Sequence, residues 1–300
     1  DFTGDTLRAG MDKVNDNFTN FKVEGTNFTG SLLVGHNVTG TLSTAISNTG
    51  VGIGALDALT SGDHNVAIGK DAATSLNEGS GNIIIGSNAG SALTSGDNNV
   101  AIGKNALSSE DTNGANTAVG YEALKNLDAG SPGYNVAIGY DAGLSLTTGI
   151  RNVLLGAKAG DTMNSSARNV GIGYEALEAE TVRGRAVAIG YRALKAQTGA
   201  SGDTYNIAIG YDAGVSITSG TGADNTVVGY AALTNEDEHG KNVAVGYEAL
   251  NQQNAGADAY SVAVGYQAGS SVVSGLKNTI IGGLAGDALV EGSENVAIGY

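Results

Sequence analysis

The chain has 300 residues, of which 48 are glycine and one is proline, with no cysteine or tryptophan and a net charge of −15. That composition departs from an ordinary globular enzyme and leaves no disulfide framework. The acidic balance, without any basic cluster, argues against nucleic acid and anionic membrane as partners, and no apolar run approaches the roughly 20 residues that cross a bilayer.

Residues 1–22 differ from everything after them. Leu7, Met11, Val14, Phe18 and Phe21 are spaced 4, 3, 4 and 3 apart, a heptad stripe that predicts a coiled-coil helix with Asp5 as its N-cap. A helix this short is marginal alone in water, so the stripe calls for partner helices, most economically those of identical chains. Residues 23–50 are rich in Thr, Asn and Gly, and Leu32-Leu33-Val34 reads as a short strand, so this segment is expected to be a β-rich adaptor.

Residues 51–300 repeat a short phrase, of which Asn135-Val136-Ala137-Ile138-Gly139-Tyr140 is one copy. Fifteen anchor glycines run from Gly54 to Gly299, usually 17 residues apart, with steps of 15, 19 or 20 at a few places. A fixed short period predicts an all-β fold, a parallel β-solenoid of about 15 coils. The first coil, Val51–Gly54, lacks the asparagine four before its glycine and carries its alanine, Ala58, one residue late, as expected of a capping repeat. Asp1 is not Met and Tyr300 falls inside a repeat, so both ends read as cuts from a longer chain.

Within the repeat, the residues three and one before the glycine are almost all β-branched and are expected to fill the inside of the coil. The residue between them, as at Ala118, Ala137, Ala188 and Ala208, is never polar. A strand apolar on both faces is buried on both, so these alanines are expected at an interface between copies, together with Leu7, Met11, Val14, Phe18 and Phe21. The recurrent asparagine four before the glycine is read as a stacked amide ladder. Four after the glycine the chain alternates between Gly, followed by an apolar residue three later, and Leu, usually followed by a polar one; this reads as one cavity filled from either of two positions.

Tyrosine follows the glycine at Tyr121, Tyr140, Tyr174, Tyr191 and Tyr211, among others, which predicts a ladder with rungs about 5 Å apart. Such a row serves either as packing at a seam between chains or as a strip for a host-surface glycan or protein. Asp63, Asp97, Asp203 and Asp224 lie in turns where calcium is conceivable, but aspartate in turns is ordinary. His36, His64 and His239 are isolated, and no nucleophile–base spacing or phosphate loop accompanies them. No catalytic, cofactor or metal residue is therefore assigned.

Two stretches carry a resemblance. Gly4-Asp5-Thr6-Leu7-Arg8 through Val14-Asn15-Asp16-Asn17-Phe18 resembles the N-terminal segment of tailed-phage virion structural proteins and tail fibres. Asn135-Val136-Ala137-Ile138-Gly139 and its copies are similar to the Asn-Ser-Val-Ala-Ile-Gly motif of trimeric autotransporter adhesin heads, over residues 51–300. The resemblance implies left-handed parallel β-rolls, three side by side. The chain departs from that family in lacking the Ser, in its longer period and in the Tyr or Lys after the glycine, so a larger coil is expected. Together the two likenesses imply a homotrimeric, non-catalytic part of a phage tail fibre, outside the cell on the virion. It would meet other fibre proteins at its N-terminal end and would contribute to host attachment without membrane insertion. The alternatives are a trimeric adhesin on a bacterial surface and, less in keeping with the scattered threonines, an ice-binding solenoid.

Overall fold

The computed structural model describes residues 21–23, 31–34, 44–181, 184–198, 203–218, 224–236 and 239–300. Among them the regular structure is seventeen three-residue strands in one sheet. β1 (Phe21–Val23) pairs antiparallel with β2 (Leu32–Val34). From β2 onward each strand pairs parallel and in register with the next, through β3 (Thr49–Val51) and β4 (Val66–Ile68) to β17 (Val296–Ile298). Each coil contributes one strand and a set of turns, so the chain is an all-β parallel solenoid. Its 16 parallel strands, at 4.7–4.9 Å per step, span roughly 70 Å.

The stack begins earlier than the repeat suggested. Leu33, Gly50 and Ala67 are register partners in successive strands. The glycine of the second coil is thus Gly52, 17 residues before Gly69, and not Gly54. With that anchor, Asn48 stands four before the glycine and Ala55 three after it, and the coil is regular rather than a cap. Asn48 Oδ1 accepts from the Asn65 backbone N–H at 2.9 Å and from its Nδ2 at 3.1 Å. Two glycines in Val51-Gly52-Ile53-Gly54 offer the same local pattern, and only the neighbouring coil distinguishes them.

The predicted helix fails at its C-terminal end. Phe21 opens β1, where Phe21 and Val34 are register partners, because the edge of β2 offers backbone partners that a lone two-heptad helix lacks. Leu7, Met11, Val14 and Phe18 lie outside the described residues.

The strand faces are the reverse of the expectation. The central residues Ala118, Ala137, Ala188 and Ala208 are fully buried within the single chain, so they line the inside of the coil and no interface. The flanking β-branched residues point outward: Ile68, Ile138 and Ile209 remain 38–39% exposed. The cause is the narrow interior. A Cβ added at Gly50, a central position, would lie 2.5 Å from Leu33 Cδ2 and 3.4 Å from Leu56 Cδ1. When leucine enters from the turn, the central residue is Gly or Ala, with Val227 beside Leu233 as the exception. Where the central residue is large, as at Ile84, Leu154 and Ile280, the turn position supplies Gly90, Gly160 and Gly286 instead.

The shared cavity itself is present. Leu107, Leu177, Leu194 and Leu250 are fully buried, as are Leu93, Leu146 and Met163 of the coils that carry glycine. A Cβ on Gly160 would lie 2.4 Å from Met163 Sδ, and one on Gly214 would lie 2.7 Å from Ile217 Cδ1. This turn position is left-handed whichever residue fills it: Leu177 has φ 54° and Gly160 φ 60°. Leu177→Gly should therefore lose about 3–5 kcal/mol to the cavity and regain about 1 kcal/mol of backbone strain. Adding Glu180→Met recreates the Gly160–Met163 pair and should recover part of the loss. It removes the acceptor of the Gln197 Nε2 bond at 2.7 Å, but that amide keeps Thr204 Oγ1 at 2.9 Å. Urea midpoints decide this: a double variant no more stable than Leu177→Gly refutes the shared cavity.

The asparagine row is structural. Asn65, Asn82, Asn99 and Asn116 are fully buried. Each Oδ1 caps the backbone N–H of the next coil, as from Asn82 N to Asn65 Oδ1 at 3.0 Å and from Asn152 N to Asn135 Oδ1 at 3.0 Å. Their Nδ2 groups donate to turn carbonyls, such as Gly96 O and Gly149 O. The row is buried and its amides bond within it or to neighbouring groups, apart from Asn242 Nδ2, which is buried without a hydrogen-bond partner among the described residues.

Candidate functional site

The outward face of each coil is built by two turns and the strand between them. Five residues before the anchor glycine the backbone is left-handed, as at Arg151 (φ 62°), Arg168 (φ 65°) and Arg185 (φ 73°). This turn stands its side chain on one edge of the face, where Tyr134, Tyr205 and Tyr260 are also exposed. The two outward β-branched residues follow. The anchor glycine then turns the chain with φ near 135–146°, as at Gly139, Gly156 and Gly190, which only glycine adopts freely. Tyrosine follows on the opposite edge, and beside it a left-handed residue, often acidic: Glu122, Asp141, Glu175, Asp212 and Glu248. Repeated coil on coil, the face reads a basic edge interrupted by Tyr134, Tyr205, Asp224, Tyr260 and Glu294, then an apolar strip, then the tyrosine row, then a partly acidic row that also holds Lys158 and Arg192.

The tyrosines stack as expected. Tyr121 and Tyr140 lie 5.2 Å apart by ring centroids, with planes 8° from parallel. Tyr174, Tyr191, Tyr211, Tyr230, Tyr247 and Tyr266 form an unbroken run with spacings of 4.7–5.5 Å. Stacking has a chemical consequence for the glycan reading. The ring faces cover one another, so within a run only edges and hydroxyls reach solvent, and a sugar cannot lie flat on a ring. Bare faces remain where the row is interrupted, at Ala157 between Tyr140 and Tyr174 and at Gly283 between Tyr266 and Tyr300.

Charge is organised along the same edge. Lys195 pairs with Glu175 at 2.5 Å and with Glu178 at 3.1 Å, and Lys125 pairs with Glu122 at 3.1 Å. The Lys195 hydrogen bond holds the Glu175 carboxyl below its ordinary range. Burial pushes Asp141 and Asp161 upward, with neighbouring carboxylates adding to the effect. Hydrogen bonds to Glu122 and Glu175 raise the Tyr121 and Tyr174 phenols, which stay neutral and act as donors.

Three of the four aspartates considered for calcium are engaged within the chain. Asp63 Oδ1 accepts from Ile46 N at 2.8 Å, Asp97 Oδ1 accepts from Ser80 N at 2.7 Å, and Asp203 pairs with Arg185 at 2.9 Å. Elsewhere Glu110, Asp111 and Asp128 bring carboxylate oxygens within 4.8 Å of one another. Glu110 is already committed to the backbone N–H groups of Asn113 at 3.2 Å and Ala129 at 3.3 Å, and burial raises its pKa. Among the described residues no helix is long and apolar enough to cross a membrane.

Of the residues singled out from sequence, Tyr121, Tyr140, Tyr174, Tyr191 and Tyr211 share this face, while the four alanines lie beneath it. The basic edge was missed. Its signal is Arg or Lys recurring at one repeat position, Arg151, Arg168, Arg185, Lys241 and Lys277, dispersed in sequence and assembled only by stacking; Arg185, Lys241 and Lys277 pair with Asp203, Asp258 and Glu294 of the same chain. No protein family, curated protein or solved structure matches this chain at a significant level.

Proposed function

We propose that the chain is a non-catalytic structural part of a phage tail fibre that works as a parallel homotrimer and contributes to host attachment. The observation that carries the assembly is the outward apolar strip. Ile83, Ile138, Ile207 and Ile281 are 39–41% exposed on an otherwise polar surface, and the strip runs the length of the stack. A face roughly 70 Å long and about 20 Å wide, from basic edge to tyrosine row, offers on the order of 1,400 Å² per chain. Divided between two seams, that is about 700 Å² per partner in each, within the roughly 600–1,000 Å² of a standard interface. The number three, and the fibre, rest on the resemblance of Gly4–Phe18 to phage virion proteins and of the repeats to trimeric adhesin heads. The stacked coils agree with both as a scaffold.

Sedimentation tests the assembly. Three chains of 29.8 kDa give a particle of about 89 kDa, whereas a stable 29.8 kDa monomer refutes it. Antibody raised against the purified chain tests the location. It should decorate fibres on virions; labelling the outer surface of uninfected bacteria instead would favour the adhesin alternative.

A further inference from the structure

Resting on that parallel homotrimer, we propose that neighbouring copies dock basic edge to tyrosine edge, with the Arg151 guanidinium of one copy filling the gap over Ala157 of the next. The gap is one missing rung. Ala157 stands in register between its neighbours, since Lys158 N donates to Tyr140 O at 2.8 Å and Glu175 N donates to Ala157 O at 3.2 Å. Two steps of the stack hold the flanking rings about 10 Å apart, so a flat group midway lies about 5 Å from each. That is the spacing the tyrosines keep among themselves, 4.7–5.5 Å. Of the two rings that border the gap, Tyr140 is 53% exposed and Tyr174 41%.

The gap asks for a planar cation. Two electron-rich ring faces bound it, and guanidinium is the flat cation that stacks on them. Asp141, beside Tyr140, has an Oδ1 that is sequestered from solvent and has no hydrogen-bond partner. Lys195 and Lys125 are paired with other carboxylates, and among the described residues Lys158 is the one cation that acts on both Asp141 and Asp161.

A second copy supplies that cation at the right height. Arg151 is exposed and its side chain makes no hydrogen bond or ion pair among the described residues. It precedes Gly156 by five residues and Ala157 follows by one, so both belong to one coil. Rotation about an axis parallel to the stack keeps every coil at its own level. Where the two edges meet, Arg151 of one copy then stands level with Ala157 of the next, in a heterologous contact that closes into a ring.

The chain has no cysteine, so an Arg151→Cys/Ala157→Cys double variant can be joined with a short bis-maleimide. Within one chain the two sites are roughly 15–20 Å apart at about 3.3 Å per residue, beyond that reagent. The expected product is a covalent trimer on a denaturing gel, with little product from either single variant. A particle that sediments as a trimer but gives no cross-link overturns this docking and leaves the assembly standing, whereas a monomer overturns the assembly itself. Arg151→Ala should also raise the dissociation constant about tenfold, and Ala157→Tyr, which closes the gap from within, should do the same. Unchanged association in both variants overturns the proposal even if the sites can be cross-linked.

Discussion

Gly139→Ala should destabilise the stack by about 3–5 kcal/mol, combining left-handed strain with overpacking. Gly139 has φ 146°, and a Cβ there would lie 2.4 Å from Gly156 O and 2.5 Å from its carbonyl carbon. Both obstacles are backbone, so no side chain can swing aside. Neither coil can retreat: Gly139 N donates to Val119 O and Gly156 N to Ile138 O, both at 2.8 Å. Each coil of a solenoid holds only to its neighbours, so the lesion should separate the stack on either side of it. Gly283→Ala is the control, since its Cβ would meet only Tyr300 Cδ2, at 4.0 Å. If urea unfolding finds the two variants equally stable, the close stacking of anchor glycines is wrong.

Ala137→Asp and Ile138→Asp, one residue apart, should fail in different ways. Ala137 is fully buried inside the coil, where a carboxylate has no partner and costs several kcal/mol. That variant should unfold, or fold only when the acid is protonated. Ile138 points outward and is 39% exposed, so its aspartate stays hydrated in the single chain. It should keep the β-sheet circular dichroism of the parent and lose the 89 kDa particle. The opposite pattern, with Ala137→Asp folded but dissociated and Ile138→Asp assembled, would restore the inverted faces.

Much of the fold could be read from period alone. The parallel stack, the amide ladder and the tyrosine rungs follow from fixed spacing, because in-register coils bring like residues together whatever the coil's shape. The facing of the strand did not follow. Both faces are apolar, so alternation cannot tell inside from outside, and β-branched bulk marks a strand without saying which face is inward. The deciding signal was volume compensation between positions six apart: Ile84 with Gly90, Leu154 with Gly160 and Ile280 with Gly286, against Ala101 with Leu107 and Gly171 with Leu177. Only residues that share an interior compensate in this way. The left-handed turns were hidden for a different reason. Leucine at φ 54° or 49°, as in Leu177 and Leu194, contradicts local preference and is held there by the coils above and below.

The direction of the coil-to-coil hydrogen bonds decides how this rod meets a pull. They run along its length, as from Val136 N to Asn152 O at 2.8 Å and Leu177 N to Ala193 O at 3.1 Å, so end-to-end tension loads one coil's bonds at a time rather than all together. The rupture force of a single chain would therefore not grow with the number of coils. Each coil that peels away replaces a step of about 5 Å with some 17 residues of slack, roughly 55 Å when extended. A single rod would yield in small, repeated increments and absorb work as it lengthens. Bonds across a seam between rods would lie at right angles to that pull and be loaded together, so side-by-side assembly would turn a yielding chain into a stiff one.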